Sequence, residues 1–168
     1  MLPPMNIFLF RHAEKAFSSG SNPPLSERGL AQAQALKDLV QNGLIQKPEV
    51  LLCSPKLRTI QTLHPLSKFL NLEIQQLKEL DERQSSESSE QYFQKVKSFI
   101  SWLSLQNKNI FLVTHFDWIE EALTAIPCDT DLSHEKYHAW GSACFMSFTL
   151  QGEFWHFNEF KGVNNAHS

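Results

Sequence analysis

Residues 7–10, Ile-Phe-Leu-Phe, form an apolar run without a single polar interruption, and the run stops abruptly at Arg11 and His12. Strand-favouring side chains with no alternation fit a strand covered on both faces, as in a parallel sheet held between helices. Open sheets of that kind bind their ligands just past the carboxyl ends of the strands. A cation and an imidazole thus stand where such a fold keeps its chemistry. Arginine offers a planar fork of donors for a phosphate or carboxylate. Histidine can be a base, a nucleophile or a metal ligand.

The rest of the chain repeats the strand-then-helix rhythm. Ser26 suits an N-cap for a helix over Glu27–Gln41, with Leu30, Ala33, Leu36 or Lys37, and Val40 inward and Gly43 as its stop. Pro48 leads into a second apolar strand, Val50–Cys53, which ends at Ser54-Pro55. The helix after it carries Leu57, Ile60, Leu63 and Leu66 or Ser67 on one side. Pro65 inside it is expected to kink or split it, because it removes a backbone donor. A short strand is expected near residues 73–77 and a polar loop over 78–89. A helical stripe follows through Tyr92, Phe93, Val96, Phe99, Ile100 and Leu103. A strand over Ile110–Thr114 then ends, like the first, at a histidine, His115. A helix from about Asp117 turns Ile119, Leu123 and Ile126 inward and stops at Pro127. Residues 128–141 read as irregular, residues 143–150 and 154–157 as a hairpin turning at Gln151-Gly152, and roughly the last eight residues as a tail. This alternation predicts one α/β domain over residues 1–168, a three-layer α/β/α sandwich with a mostly parallel sheet.

Composition narrows the function classes. A length of 168 residues suits one core, and 42% hydrophobic residues argue against disorder. The net charge of -3 and the lack of a basic run give no footprint for nucleic acid or an anionic membrane surface. Cys53, Cys128 and Cys144, odd in number and widely spaced, point to reduced thiols in a cytoplasmic protein. The first residues lack the pattern of a signal peptide, and no segment approaches the length of a membrane span.

Arg11, His12 and His115 fall at strand ends, and Arg58 falls one turn into the helix after Ser54-Pro55. Two arginines and two histidines brought to one sheet edge would make a pocket for a tetrahedral dianion, with helix N-termini adding backbone donors. Phe-Arg-His-Ala-Glu-Lys at residues 10–15 resembles the R-H-G-E signature of the histidine phosphatase superfamily, whose members look like cofactor-dependent phosphoglycerate mutase. Ala13 stands in place of the usual glycine. Residues 25–36, L-S-E-R-G-L-A-Q-A-Q-A-L, resemble that family's L-T-x-x-G-x-x-Q-A segment, and residues 51–62, L-L-C-S-P-K-L-R-T-I-Q-T, its S-x-x-x-R-x-x-Q-T segment. F-L-V-T-H at 111–115 resembles the strand ending in the second histidine. The pieces follow the family's order.

The resemblance implies a phosphoglycerate mutase-like fold and phosphoryl chemistry. His12 would attack phosphorus and become phosphohistidine. Arg11, Arg58 and His115 would hold the phosphoryl oxygens, with Ser18 near the phosphate. No metal or other cofactor is needed, because arginines carry the charge. Leu-Asp-Glu-Arg at 80–83 resembles the L-x-E or L-N-E-R segment and makes Glu82 the expected general acid, with Glu79 its rival. The chain departs from the family at Ala13, at Phe116 after the second histidine, at Ser18 where asparagine is usual, and at Gln84-Ser85-Ser86 where a glycine often follows the acid. Ser18, Lys15, Trp118, His138 and Trp140 are candidates for the leaving-group side. The short chain favours hydrolysis of a phosphomonoester or a protein phosphohistidine over mutase-type transfer. Its partners would be a small phosphorylated substrate or a phosphohistidine protein, not nucleic acid or membrane. A phosphate-binding module without turnover is the alternative from another class. His134-Glu135-Lys136-Tyr137-His138 also fits H-E-x-x-H, the zinc protease motif, in a short polar context with no evident third ligand.

Overall fold

The computed structural model describes residues 3–18 and 20–165. Six strands form one sheet in the order β3-β2-β4-β1-β5-β6. They are β1 Met5–Arg11, β2 Val50–Cys53, β3 Ile74–Gln76, β4 Ile110–Thr114, β5 Cys144–Gln151 and β6 Phe154–Gly162. The pairings among β3, β2, β4 and β1 are parallel, whereas β5 pairs antiparallel with both β1 and β6, so β5 alone runs against the rest. The mostly parallel α/β sheet expected from the alternation is present.

The unbroken apolar run in β1 reflects a core on each side. Ile7 and Leu9 point into a layer with Val96, Ile100 and Leu103 of α3 (Ser89–Ser104) and Ile119 and Leu123 of α4 (Phe116–Ala125). Phe8 and Phe10 point the other way, onto Ala33, Leu36 and Val40 of α1 (Glu27–Gln41) and Leu63 and Leu66 of α2 (Leu57–Leu70). Successive strand residues face opposite sides, so both classes of position must be apolar. Among the described residues, no helix is long and apolar enough to cross a membrane.

Several local expectations change. Leu30 is 51% exposed, because Gly29 takes the inward place in the first turn of α1; a Cβ there would stand 2.0 Å from the Glu14 carbonyl oxygen. Leu57 is likewise exposed, and the inward positions at the start of α2 go to Arg58 and Thr59. Pro65 does not split α2, which stays one helix with Leu63 and Leu66 fully buried on either side of the proline. The expected loop over residues 78–89 contains a 3-10 turn, Lys78–Leu80, and α3 begins at Ser89 under a capping box from Ser88 and Gln91. The tail is not free over its whole length. β6 runs to Gly162, and buried Val163 donates its amide to the Ala143 carbonyl. Residues 166–168 lie outside the described residues.

Candidate active site

The topology puts the carboxyl ends of β1, β2 and β4 side by side, in register Arg11↔Thr114 and Cys53↔Val113. His12 follows β1, His115 follows β4, and α2, which leaves β2 through Ser54-Pro55, carries Arg58 on its first turn. These three side chains are buried, although each is polar. They line a cleft of about 410 Å³ with Arg11, Glu14, Lys15, Glu82, Phe116, Asp117 and Ser142.

The hydrogen bonds fix the tautomers. His12 Nδ1 lies 2.7 Å from the Ala13 carbonyl oxygen. A carbonyl only accepts, so Nδ1 carries the proton and Nε2 keeps its lone pair. Arg58 Nε donates toward that Nε2 at 3.4 Å. His115 is arranged in a complementary way. Its Nδ1 faces Arg58 Nη2 at 3.4 Å, which can only donate, so Nε2–H donates to Ser54 Oγ at 2.8 Å. Ser54 Oγ in turn meets Thr59 Oγ1 at 2.9 Å, and Thr59 Oγ1 donates onward to the Ser54 and Lys56 carbonyls. The imidazole rings of His12 and His115 stand 5.4 Å apart, edge to face.

The arginines are held from behind. Arg11 Nη1 donates to the Trp140 carbonyl, and its guanidinium lies over Phe116, 5.3 Å from the ring centre. Arg58 Nη2 donates to Glu82 Oε1 at 2.6 Å. The Glu82 segment is itself tied down. Thr114 Oγ1 donates to the Leu80 carbonyl at 2.6 Å, Tyr92 Oη to the Asp81 carbonyl at 3.0 Å, and Glu82 N to Asp81 Oδ1 at 2.8 Å. Among the described residues, the buried side-chain nitrogens and oxygens left without a partner are Arg11 Nε and Arg58 Nη1. Both belong to residues of the cleft.

Burial, followed by the charges of Arg58 and Arg11, pulls His12 down from its ordinary 6.5 to about 4, against the opposing Ala13 carbonyl and Glu82. Burial, then Arg58, His12 and Lys56, pushes His115 down further. Both rings are therefore neutral near neutral pH. The linkage has a definite sign. Below 6.5 the unfolded chain takes up protons that the folded chain refuses, so stability is full above that pH and falls as pH drops toward 4. Each ring contributes a slope of at most about 1.4 kcal/mol per pH unit in that window. Denaturant titrations across the window should show a shallower loss for His115→Gln than for the parent chain. Equal slopes would mean that His115 titrates normally in the folded protein.

Of the other expected site residues, Lys15 lines the cleft. Ser18 is exposed, accepts from Gly20 N at 3.2 Å and is absent from the cleft lining. Trp118 is fully buried, with its indole nitrogen on the Glu79 carbonyl at 2.8 Å, and Trp140 is buried and serves through its carbonyl. Glu79 is exposed on the far side of the Glu82 segment. His134 and His138 flank a 3-10 turn, Glu135–Tyr137, rather than sharing an α-helical face, and His134 Nδ1 is occupied as a cap accepting Lys136 N at 3.2 Å. Asp81, Glu82 and His115 form the one trio of possible metal ligands found among the described residues. Arg58 and Lys56 beside it disfavour a cation. The sequence reading missed Glu14, Ser54, Asp81, Phe116, Asp117 and Ser142 as site neighbours. Ser54 and Phe116 lay inside or beside the quoted motifs, while Ser142 gave no signal.

The same architecture recurs in solved structures. A candidate alpha-ribazole-5'-P phosphatase from Escherichia coli superposes with a TM-score of 0.78 at 20% identity, over 95% of this chain and 97% of that one. Phosphoglycerate mutase from Bacillus anthracis gives 0.77 at 13% identity, over 98% and 96%. The protein histidine phosphatase SixA, complexed with tungstate, gives 0.74 at 22% identity, over 96% and 99%. At these identities the likeness is one of fold. No curated protein matches the sequence. Residues 7–87 match the family model described as histidine phosphatase superfamily, branch 1. The matched stretch holds Arg11, His12, Arg58 and Glu82, and His115 follows β4 beyond it.

Proposed function

We propose that the protein is a phosphatase that hydrolyses a phosphomonoester or a phosphohistidine through a covalent intermediate on His12. The observation that carries this reading is the pair of unpartnered buried donors, Arg11 Nε and Arg58 Nη1, beside a neutral imidazole whose Nε2 keeps a lone pair, met by a long 3.4 Å contact from Arg58 Nε that an arriving phosphoryl group can displace. Unsatisfied buried charged groups are costly, and a phosphoryl dianion supplies the acceptors they lack.

In the first step His12 Nε2 forms a bond to phosphorus as the bond to the leaving atom breaks, and Glu82, released from Arg58 by the bound phosphoryl group and protonated from solvent, supplies the proton that the leaving atom needs. Arg11 and Arg58 hold the equatorial oxygens as charge shifts among them. His115 joins them by carrying a proton on Nδ1, which the arriving dianion favours and Asp81, 3.7 Å from Nε2, supports. In the second step Glu82 takes a proton from water, the water oxygen bonds to phosphorus, and the bond to His12 breaks to release phosphate.

Hydrolysis of an aryl phosphate by the purified chain is the direct test. Turnover should survive exhaustive chelation, because Arg11 and Arg58 supply the positive charge, and vanadate should inhibit by mimicking five-coordinate phosphorus. No turnover would leave a phosphate-binding module. Turnover lost on chelation and restored by zinc would shift the chemistry to a metal.

A further inference from the structure

The Asp81-Glu82 segment forms a ridge. The catalytic cleft lies on the Glu82 side. On the other side is a second hollow, about 450 Å³, lined by Pro55, Lys78, Glu79, Asp81, Gln84 and Lys95. Glu79 and Lys95 are shared with a third hollow of about 370 Å³, whose other walls are Leu77, Ser98, Phe99 and Trp102. The two hollows adjoin at Glu79 and Lys95 and together reach from Asp81, next in sequence to the proposed acid, to Ser98, Phe99 and Trp102 of α3; they count as one groove. Its near end carries charges of both signs, Glu79 and Asp81 as well as Lys78 and Lys95, and among the described residues the Lys78 ammonium has no ion-pair or hydrogen-bond partner. Its far end is apolar. Trp102 packs at a tilt against Phe99, 5.2 Å between ring centres, and is still 43% exposed, a large aromatic surface open to solvent.

We infer that this groove receives a segment of a phosphorylated protein substrate, with the phosphorylated side chain over the ridge in the cleft and an apolar side chain of the same segment on Phe99 and Trp102. The inference rests on the proposed phosphatase reaction. A general acid must touch the leaving atom, so whatever is attached to that atom emerges beside Glu82, where the groove begins. A small phosphate ester ends inside the cleft and has no use for an apolar platform beyond it. A polypeptide does, because an extended chain projects side chains at regular intervals along a groove, and aromatic residues dominate such contacts. The free Lys78 suits an acidic residue between the two anchors.

The test uses the full chain, an aryl phosphate, free phosphoserine and phosphohistidine, and matched peptides phosphorylated on serine or histidine that do or do not carry a leucine at varied distance. At least one leucine-bearing phosphopeptide should have a KM about tenfold below that of its free phosphoamino acid. Trp102→Ala should remove that advantage while leaving kcat and KM for the aryl phosphate unchanged. Ser98→Arg, at an exposed wall of the groove, should do the same by filling it, which guards against a folding defect in the tryptophan variant. Phosphopeptides no better than free phosphoamino acids, or a peptide advantage that both variants keep, would overturn the inference and leave the phosphatase reading intact. Failure of the parent chain on the aryl phosphate and every other substrate would instead remove the reaction itself.

Discussion

His12→Ala is expected to abolish hydrolysis, by about four orders of magnitude or more, while vanadate still binds. In the proposed reaction His12 is the group whose removal takes away the bond-forming atom rather than a helper. Its Nε2 lone pair is fixed by the Nδ1 proton given to Ala13, and its neutrality near pH 7 follows from burial beside two guanidinium groups. Alanine removes the ring and leaves Arg11, Arg58 and His115 to hold an anion. Rapid acid quench of the parent chain with labelled substrate should trap a phosphoenzyme that is labile to acid and stable to base, as expected for a phosphorus–nitrogen bond, and the variant should trap none. Clean His12→Ala protein that turns over at the parent rate would sink the assignment. So would a trapped phosphoryl group with the lability of an ester.

The parts of this site legible in the sequence were those set by backbone periodicity and order. The apolar run ending at Arg11-His12 and the second run ending at His115 located two strand ends, and parallel neighbours in a sheet bring such ends together. Arg58 could be placed one turn into a helix but not shown to point inward. Its burial comes from α2 turning toward the cleft at the expense of Leu57, a rotation that hydrophobic spacing alone misjudged. Leu30 was misjudged for the same reason. The close approach of Gly29 to Glu14 sets the face of α1, and a contact between distant segments leaves no periodic trace. The hydrogen-bond chain from His115 through Ser54 to Thr59, and the Arg58–Glu82 pair, are likewise products of tertiary placement. Resemblance to the family brought Glu82 forward, and the two glutamates lie in different hollows. Glu82 lines the cleft with a carboxylate oxygen on Arg58, while Glu79 faces the groove behind it.

Glu82→Gln should slow hydrolysis of alkyl phosphates by about a hundredfold to ten-thousandfold, the usual contribution of a positioned acid. An alkoxide is a poor leaving group, and it needs a proton as charge builds on its oxygen. A nitrophenolate carries that charge itself and should be slowed far less. Glutamine keeps the shape and leaves Arg58 an oxygen to donate to, so the loss reports the proton rather than a collapsed site. In the free protein Glu82 is held by Arg58 at 2.6 Å. A bound phosphoryl group competes for the same guanidinium and frees Glu82 to meet the leaving atom. Glu79→Gln should slow neither substrate class much. With phosphohistidine as substrate the leaving imidazole can be protonated before attack, and the Glu82 effect should shrink. Single-turnover rates plotted against leaving-group acidity distinguish these cases. The plot should steepen for Glu82→Gln and stay parallel to the parent for Glu79→Gln. Equal slopes for the parent and Glu82→Gln would make Glu82 a partner of Arg58 and no more. Steepening in Glu79→Gln alone would move the proton to the other side of the ridge.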